Sequence, residues 1–153
     1  MTHAAENHWI SLGEVVPLVL ARCAVGALVT GRCESPIEVI FGTSLLFVHP
    51  HVQFLGLDDV RDFSRPCLIP QFWWRKYRID FALCAAGKIE PGVFVECDGR
   101  EFHSTDEQLA RDRAKDELAS LAGITMMRFS GAEIHQHYDI CAGLAMAALA
   151  RSA

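Results

Sequence analysis

The stretch RIDFALCAAGKIEPGVFVECDG, residues 78–99, holds two short β-type runs separated by a turn-rich segment. Ile, Phe, Leu and Val dominate both runs, and AGKIEPG between them carries the glycines and proline that punctuate a hairpin. The expected strands run from Arg78 to Ala85 and from Val93 to Asp98. Pairing them about a turn centred on Ile89 sets Asp80 opposite Asp98 and Ala82 opposite Glu96, with all four side chains on one face of the sheet. The other face then carries Ile79, Phe81, Leu83, Val93, Val95 and Cys97 and is wholly apolar. One face builds core, and the other gathers three carboxylates.

Like charges that face each other on a sheet are destabilising, and carboxylates a few ångströms apart either raise a pKa or recruit a cation. Oxygen ligands at that density suit Mg²⁺ or Mn²⁺, which keep several waters and are held by one or two carboxylates beside a substrate phosphate. Phosphate chemistry is the natural expectation.

Outward from the hairpin, helices and strands alternate. CLIPQFWW is aromatic and β-rich, so a strand is expected near Ile69 to Trp74. Upstream, Ser35 is a helix N-cap with Pro36 at the first helical position and Glu38 in capping-box register. Ile37, Ile40, Phe41 and Leu45 form the apolar stripe of that helix. The Ala-rich run from Ser11 to Val29 reads as an earlier helix, and HPHVQFLGLDDVRDFSRP reads as loop with a short helical turn. Downstream, STDEQLARDRAKDELASLAG predicts a helix with a Ser104–Glu107 capping box, an apolar stripe of Leu109, Ala114, Leu118 and Leu121, and a stop at Gly123. ITMMRFS predicts a strand, and residues from about Ala132 to Ala150 a closing helix. The fold class is α/β or α+β, with a helical extension over 1–34, a core over 35–134 and a C-terminal helix over 135–153, in one compact domain.

The 153 residues, 51% of them apolar, suffice for a single core. A formal net charge of −5 excludes a globally basic nucleic-acid binder. Between Arg61 and Lys115, however, ten Lys and Arg meet nine acids, so the acidic surplus lies toward the ends. Six cysteines without a C-x-x-C pair read as reduced thiols of a cytoplasmic protein. The apolar run from Val15 to Val29 is interrupted by Pro17 and Arg22 and is too short for a bilayer, and no basic cluster precedes it as in a secretory signal. No membrane partner is expected.

RIDFAL, then VECDG sixteen residues beyond Asp80, then FHS and EQLARDRAKDELASLAGITMMRFSGAEI, resemble the restriction-endonuclease-like PD-(D/E)XK nuclease superfamily. The nearest branch is that of the very short patch repair endonucleases and their uncharacterised bacterial relatives. The resemblance spans roughly Ser35 to Ile134. It implies a core of helix, three-stranded meander, helix and strand, in which the hairpin presents its acids to a metal and to DNA. It further implies Asp80, Glu96 and the Cys97 carbonyl as ligands of Mg²⁺ or Mn²⁺, Glu38 as the acid of the first helix, and His103 near the scissile phosphate. The motif's third position, Lys in the superfamily's best-known form, is Asp98 here. Lys115 or His103 is the candidate to take over its role in activating water.

Each of these residues also has a bland reading. An Asp inside an apolar strand is costly to bury unless paired, for instance with Arg78 or Arg128. Asp98 precedes Gly99 in an ordinary turn signal, and a cap accounts for Glu38. Arg75, Lys76 and Arg78, interleaved with Trp73, Trp74 and Tyr77, and Arg111, Arg113 and Arg128 are candidate nucleic-acid contacts, against edge-strand packing and a solvated helix face. Gln71 and Gln108 are candidate polar groups of the site. The expected function is Mg²⁺-dependent endonucleolytic hydrolysis of DNA, with RNA the other candidate substrate and a homodimer an open option. The alternative is a catalytically silent nucleic-acid-binding or assembly module of the same fold.

Overall fold

The computed structural model describes residues 22–56, 62–99 and 105–152. Residues 22–30 are helical (α1), followed by α2 (Pro36–Val48), β1 (Gln53–Phe54), β2 (Cys67–Trp74), β3 (Tyr77–Cys84), β4 (Val93–Asp98), α3 (Asp106–Leu121), β5 (Thr125–Ser130) and α4 (Gly131–Ser152). The expected helical residues 11–21 lie outside the described residues. The five strands form one mixed sheet in sequence order. β2–β3 and β3–β4 pair antiparallel, whereas β1–β2 and β4–β5 pair parallel. The fold is mixed α/β. β1, a two-residue edge pairing inside the segment read as loop, carried too little pattern to be seen in the sequence.

Two cores flank the sheet. On one face Phe41 and Leu45 of α2 and Ile134, Ala142 and Ala145 of α4 pack on Leu68, Phe81, Leu83, Val93 and Val95. Phe41 holds this core together, with its ring 5.3 Å from that of Phe81 and 5.8 Å from that of Phe129. Gly42 allows α2 to come that close, since a Cβ there would stand 3.0 Å from Val29 and 3.3 Å from the Phe81 ring. On the other face Ala119 of α3 and Ile124 close over Cys67, Ile69, Ala82, Cys84 and Phe94. The face expected to be given over to carboxylates is therefore a second core along most of its length. Ala82, Cys84 and Phe94 build it, and the acids occupy only its far end.

The hairpin register differs from the expected one by two residues. Phe81 faces Val95, Ala82 faces Phe94 and Leu83 faces Val93. The connection begins with a turn closed by the Lys88 N–H to the Ala85 carbonyl, with Gly87 at φ +77°. This centres the hairpin on residue 88 instead of Ile89. The next step of this register aligns Asp80 with Glu96 rather than with Asp98.

The sheet also changes hands in mid-strand. In β2 the residues facing α3 are Cys67 and Ile69, then Phe72 and Trp74; in β3 they are Tyr77 and Ile79, then Ala82 and Cys84. Strict alternation would keep one parity. Both strands switch it at the same level, between the pairs Pro70–Phe81 and Phe72–Ile79, where Gln71 adopts φ +49°. Ile79 thereby joins the α3 core and not the Phe81 face expected of it. The residues at the break are Gln71 and Asp80.

α3 starts one residue later than expected. Thr105 is its N-cap and shares a capping box with Gln108, so that the Thr105 Oγ1 accepts from the Gln108 N–H and the Gln108 side chain accepts from the Thr105 N–H. Ser104 lies outside the described residues. The expected stripe of Leu109, Ala114, Leu118 and Leu121 is not the buried one. Leu109 and Leu121 are exposed, Leu118 is half-buried, and the buried side chains are Lys115 and Ala119. This helix covers the acidic end of the sheet, so its inward face includes a cation. α4 departs from helical geometry at His137, where φ is −141° and ψ is 42°.

Candidate active site

Asp80 belongs to neither core, because the break in alternation sets it at the end of the β3–β4 ladder. There the Cys97 N–H donates to Asp80 Oδ2 at 2.7 Å, a side chain doing the work of a strand carbonyl. The ion-pair reading of Asp80 is not realised: Arg78 pairs with Glu34, and Arg128 makes a two-pronged pair with Asp116 at 2.7 and 2.8 Å. Burial, the largest cause, pushes the Asp80 carboxyl up to about 7, with the charges of Glu96 and Glu38 adding to the rise while the Cys97 N–H and Lys115 oppose it. A carboxylate this costly to ionise is held in place by packing that does not neutralise it.

Glu96, mid-way along β4, turns toward α3. Lys115 Nζ stands 2.9 Å from its Oε1 and 3.7 Å from Asp112 Oδ1. Lys115 is only 7% exposed, so this ammonium is committed to the acid cluster and does not belong to a solvated face. Burial nevertheless raises the Glu96 pKa, against the lowering effect of Lys115 and then Arg128. Asp98 is exposed at the end of β4, where its negative charge adds to that rise.

Glu38 comes from α2 on the opposite side. Its capping role is plain in the geometry, since Ser35 Oγ donates to Oε1 at 2.6 Å while the Glu34 N–H and Gln71 Nε2 donate to Oε2 at 3.0 and 2.6 Å. The sequence could not show the last of these bonds, which ties α2 to the break in β2. Three donors occupy Glu38, 5% exposed, and leave it acting on Asp80 through its charge. Gln71 Oε1, by contrast, is buried with no hydrogen-bond partner among the described residues. Sequence reading found Gln71 only as a polar residue on the neighbouring strand; its positive φ and orphan oxygen make it part of the site.

The expected site residues Asp80, Glu96, Glu38 and Lys115 therefore converge, Asp98 stands at the rim, and His103 lies outside the described residues. Burial and then the charges of Glu38 and Asp80 push Cys33 up to about 12, and burial and then Asp80 raise Cys97 as well. None of the six cysteines forms a disulfide. Among the basic residues, Arg75 lies over the Trp74 ring, and Lys76 and Arg111 over that of Tyr77. Arg111 precedes Lys115 by one helical turn, so the tip of the β2–β3 hairpin and the acid cluster meet the same face of α3. Arg113 is exposed on the far side.

Among the described residues no group of three or more His, Cys, Asp or Glu side chains is placed to hold a metal ion. The Asp80 and Glu96 carboxylates lie near enough that the charge of Glu96 raises the Asp80 pKa.

Residues 72–147, just under half of the chain, match the family described as a protein of unknown function, DUF2726. The match takes in the hairpin tip, Asp80, Glu96, Asp98 and Lys115 and leaves out α2 with Glu38. No curated protein and no solved structure matches the chain. Among the described residues no helix is long and apolar enough to cross a membrane.

Proposed function

We propose that this chain is a metal-dependent nuclease of restriction-endonuclease-like fold that hydrolyses phosphodiester bonds in DNA. The observation that carries the reading is the convergence of Asp80 and Glu96 at the break in the sheet, with the Lys115 ammonium held against them. Asp80, Glu96 and the Cys97 carbonyl would hold Mg²⁺ or Mn²⁺, which on binding supplies a Lewis acid and a water of lowered pKa. Glu38 adds negative charge that favours a cation beside Asp80, and its bond to Gln71 fixes the strand that borders the site. Lys115 supplies an ammonium next to Glu96, able to orient an attacking water or to balance charge on the phosphate.

The silent-module reading draws on Asp98, which stands where the motif usually has Lys, and on the acidic balance of the chain. With Lys115 reaching Glu96 from α3, an ammonium is at hand without help from that position, and the catalytic reading is the stronger. Plasmid nicking and cleavage of linear duplex and single-stranded DNA with Mg²⁺ or Mn²⁺ test it, beside Asp80→Asn and Glu96→Gln. Loss of cleavage in both variants is expected. Cleavage that survives in both, or no cleavage by the parent protein with either metal, would overturn the assignment.

A further inference from the structure

The hairpin tip QFWWRKYR, residues 71–78, concentrates three cations and no acid in a chain of net charge −5, together with four aromatic rings. The fold sorts those rings. Phe72 and Trp74 pack at 6.1 and 5.1 Å on Phe94, and Tyr77 is buried beneath Lys76 and Arg111. Trp73 points the other way. It lies across from Arg78 in the register, is 61% exposed, and among the described residues has no ring or cation stacked upon it. A two-residue offset along β3 separates its level from Asp80, about 7 Å at strand rise.

A large indole held out in water on a rigid strand, with Arg78 across from it and Arg75 and Lys76 in the adjoining turn, fits one partner chemistry. Single-stranded nucleic acid offers a phosphate backbone to the cations and an uncovered base face to the ring, and every base has such a face. In a continuous duplex both faces of each base are already covered by its neighbours. We infer that Trp73 is a stacking platform for an unpaired base next to the cleaved phosphate, with Arg78 on its own face and Arg75 and Lys76 at the adjoining turn meeting the backbone. The substrate class is therefore single-stranded nucleic acid. The inference rests on the nuclease reading for its placement, but its test is binding and not cleavage.

Fluorescence anisotropy in EDTA, at one fixed salt concentration, with labelled oligothymidylate, oligouridylate and a blunt duplex provides that test; the first two probes distinguish DNA from RNA. Tighter binding of a single strand than of the duplex is expected. Trp73→Ala should weaken single-strand binding about tenfold or more, while Trp73→Phe, which keeps a ring, should retain most of it. Thermal unfolding of each variant, at an exposed position, monitors folding. Duplex bound as tightly as both single strands, or single-strand affinity unchanged in folded Trp73→Ala, overturns the inference even if the protein cleaves DNA. Trp73-dependent binding of single strands by a protein that cleaves nothing upholds it and removes the nuclease reading instead.

Discussion

Replacing Asp80 by Asn should stabilise the metal-free protein, and by an amount that grows with pH. The pKa of Asp80 is raised from 3.8 to about 7, chiefly by burial and then by Glu96 and Glu38. At about 1.4 kcal/mol per pKa unit, a rise of about three units corresponds to at most about 4 kcal/mol. The unfolded chain releases this proton near the ordinary Asp value, whereas the folded chain keeps it until about pH 7. Between those two values the native state binds more protons than the unfolded one, so stability falls as pH rises. The penalty is absent below about pH 4 and complete above about pH 7. Asn is neutral, isosteric and still able to accept from the Cys97 N–H, so it removes the charge and keeps the bond. Urea unfolding of both proteins in EDTA from about pH 5 to about pH 8 isolates Asp80 together with its coupling to Glu96 and Glu38, because groups remote from it contribute nearly equally to the two. The stability difference should open steadily in favour of Asn across that range. A difference that stays constant with pH, or a parent protein more stable than the variant at the alkaline end, refutes the electrostatic account of the site.

Lys115→Met leaves Glu96 beside Asp80 without its ammonium. Breaking a buried pair from one side costs about 3–5 kcal/mol, and urea unfolding should show most of that loss above neutral pH and less at acid pH, where Glu96 takes up a proton. Glu38→Ala strands the Glu34 N–H, the Ser35 hydroxyl and the Gln71 amide, for a loss of about 2 kcal/mol in thermal or urea unfolding. Arg75 occupies the hairpin turn at φ +54°, where glycine is the usual residue. Arg75→Gly should therefore leave stability unchanged or raise it by up to about 1 kcal/mol, while the protein elutes from a phosphate or heparin matrix at lower salt. A clear loss of stability would show that the Arg75 side chain, lying on Trp74, outweighs the turn strain.

The parts of the fold that the sequence declared are those governed by short-range rules. Ser35 with Pro36 starts α2, the apolar runs and turn residues place β2, β3 and β4, and Gly123 at φ +73° ends α3. Asp80 and Glu96 stood out because a carboxylate in a β-branched and aromatic strand has no cheap structural role. What escaped were features fixed by neighbours remote in sequence. The register slipped by two because the connection from Ala85 to Gly92 has no fixed centre until Gly87 takes its positive φ. The stripe of α3 was misread because Leu109 and Leu121 carry the pattern while Lys115 and Ala119 carry the contact. RDRAKDE does look like a solvated face. Only the spacing of Arg111, Lys115 and Ala119 at successive turns hinted that a cation lies on the buried side. β2 held a similar hint in LIPQFWW, whose apolar residues change parity across Pro70 and Gln71.

The break in the sheet and the acid cluster are best understood as one feature. A strand with core on both faces has no position for a carboxylate, and β3 is such a strand along most of its length. Reversing the alternation at Gln71 and Asp80 takes one residue of each strand out of both cores without changing the pairing on either side. The price is a turn-like φ at Gln71 and a buried acid whose ionisation costs up to about 4 kcal/mol, against a total stability for such a domain of about 5–15 kcal/mol. The hydrogen bond to Cys97 does not require that charge, since an amide oxygen would serve. Lys115 does not require it either, because Glu96 is its nearest partner. What Asp80 has that Asn would lack is a negative charge beside the Glu96 carboxylate, a repulsion that the metal of the proposed function would turn into attraction. The pH dependence of stability should accordingly flatten when Mg²⁺ is added to the parent protein and stay as it was in Asp80→Asn.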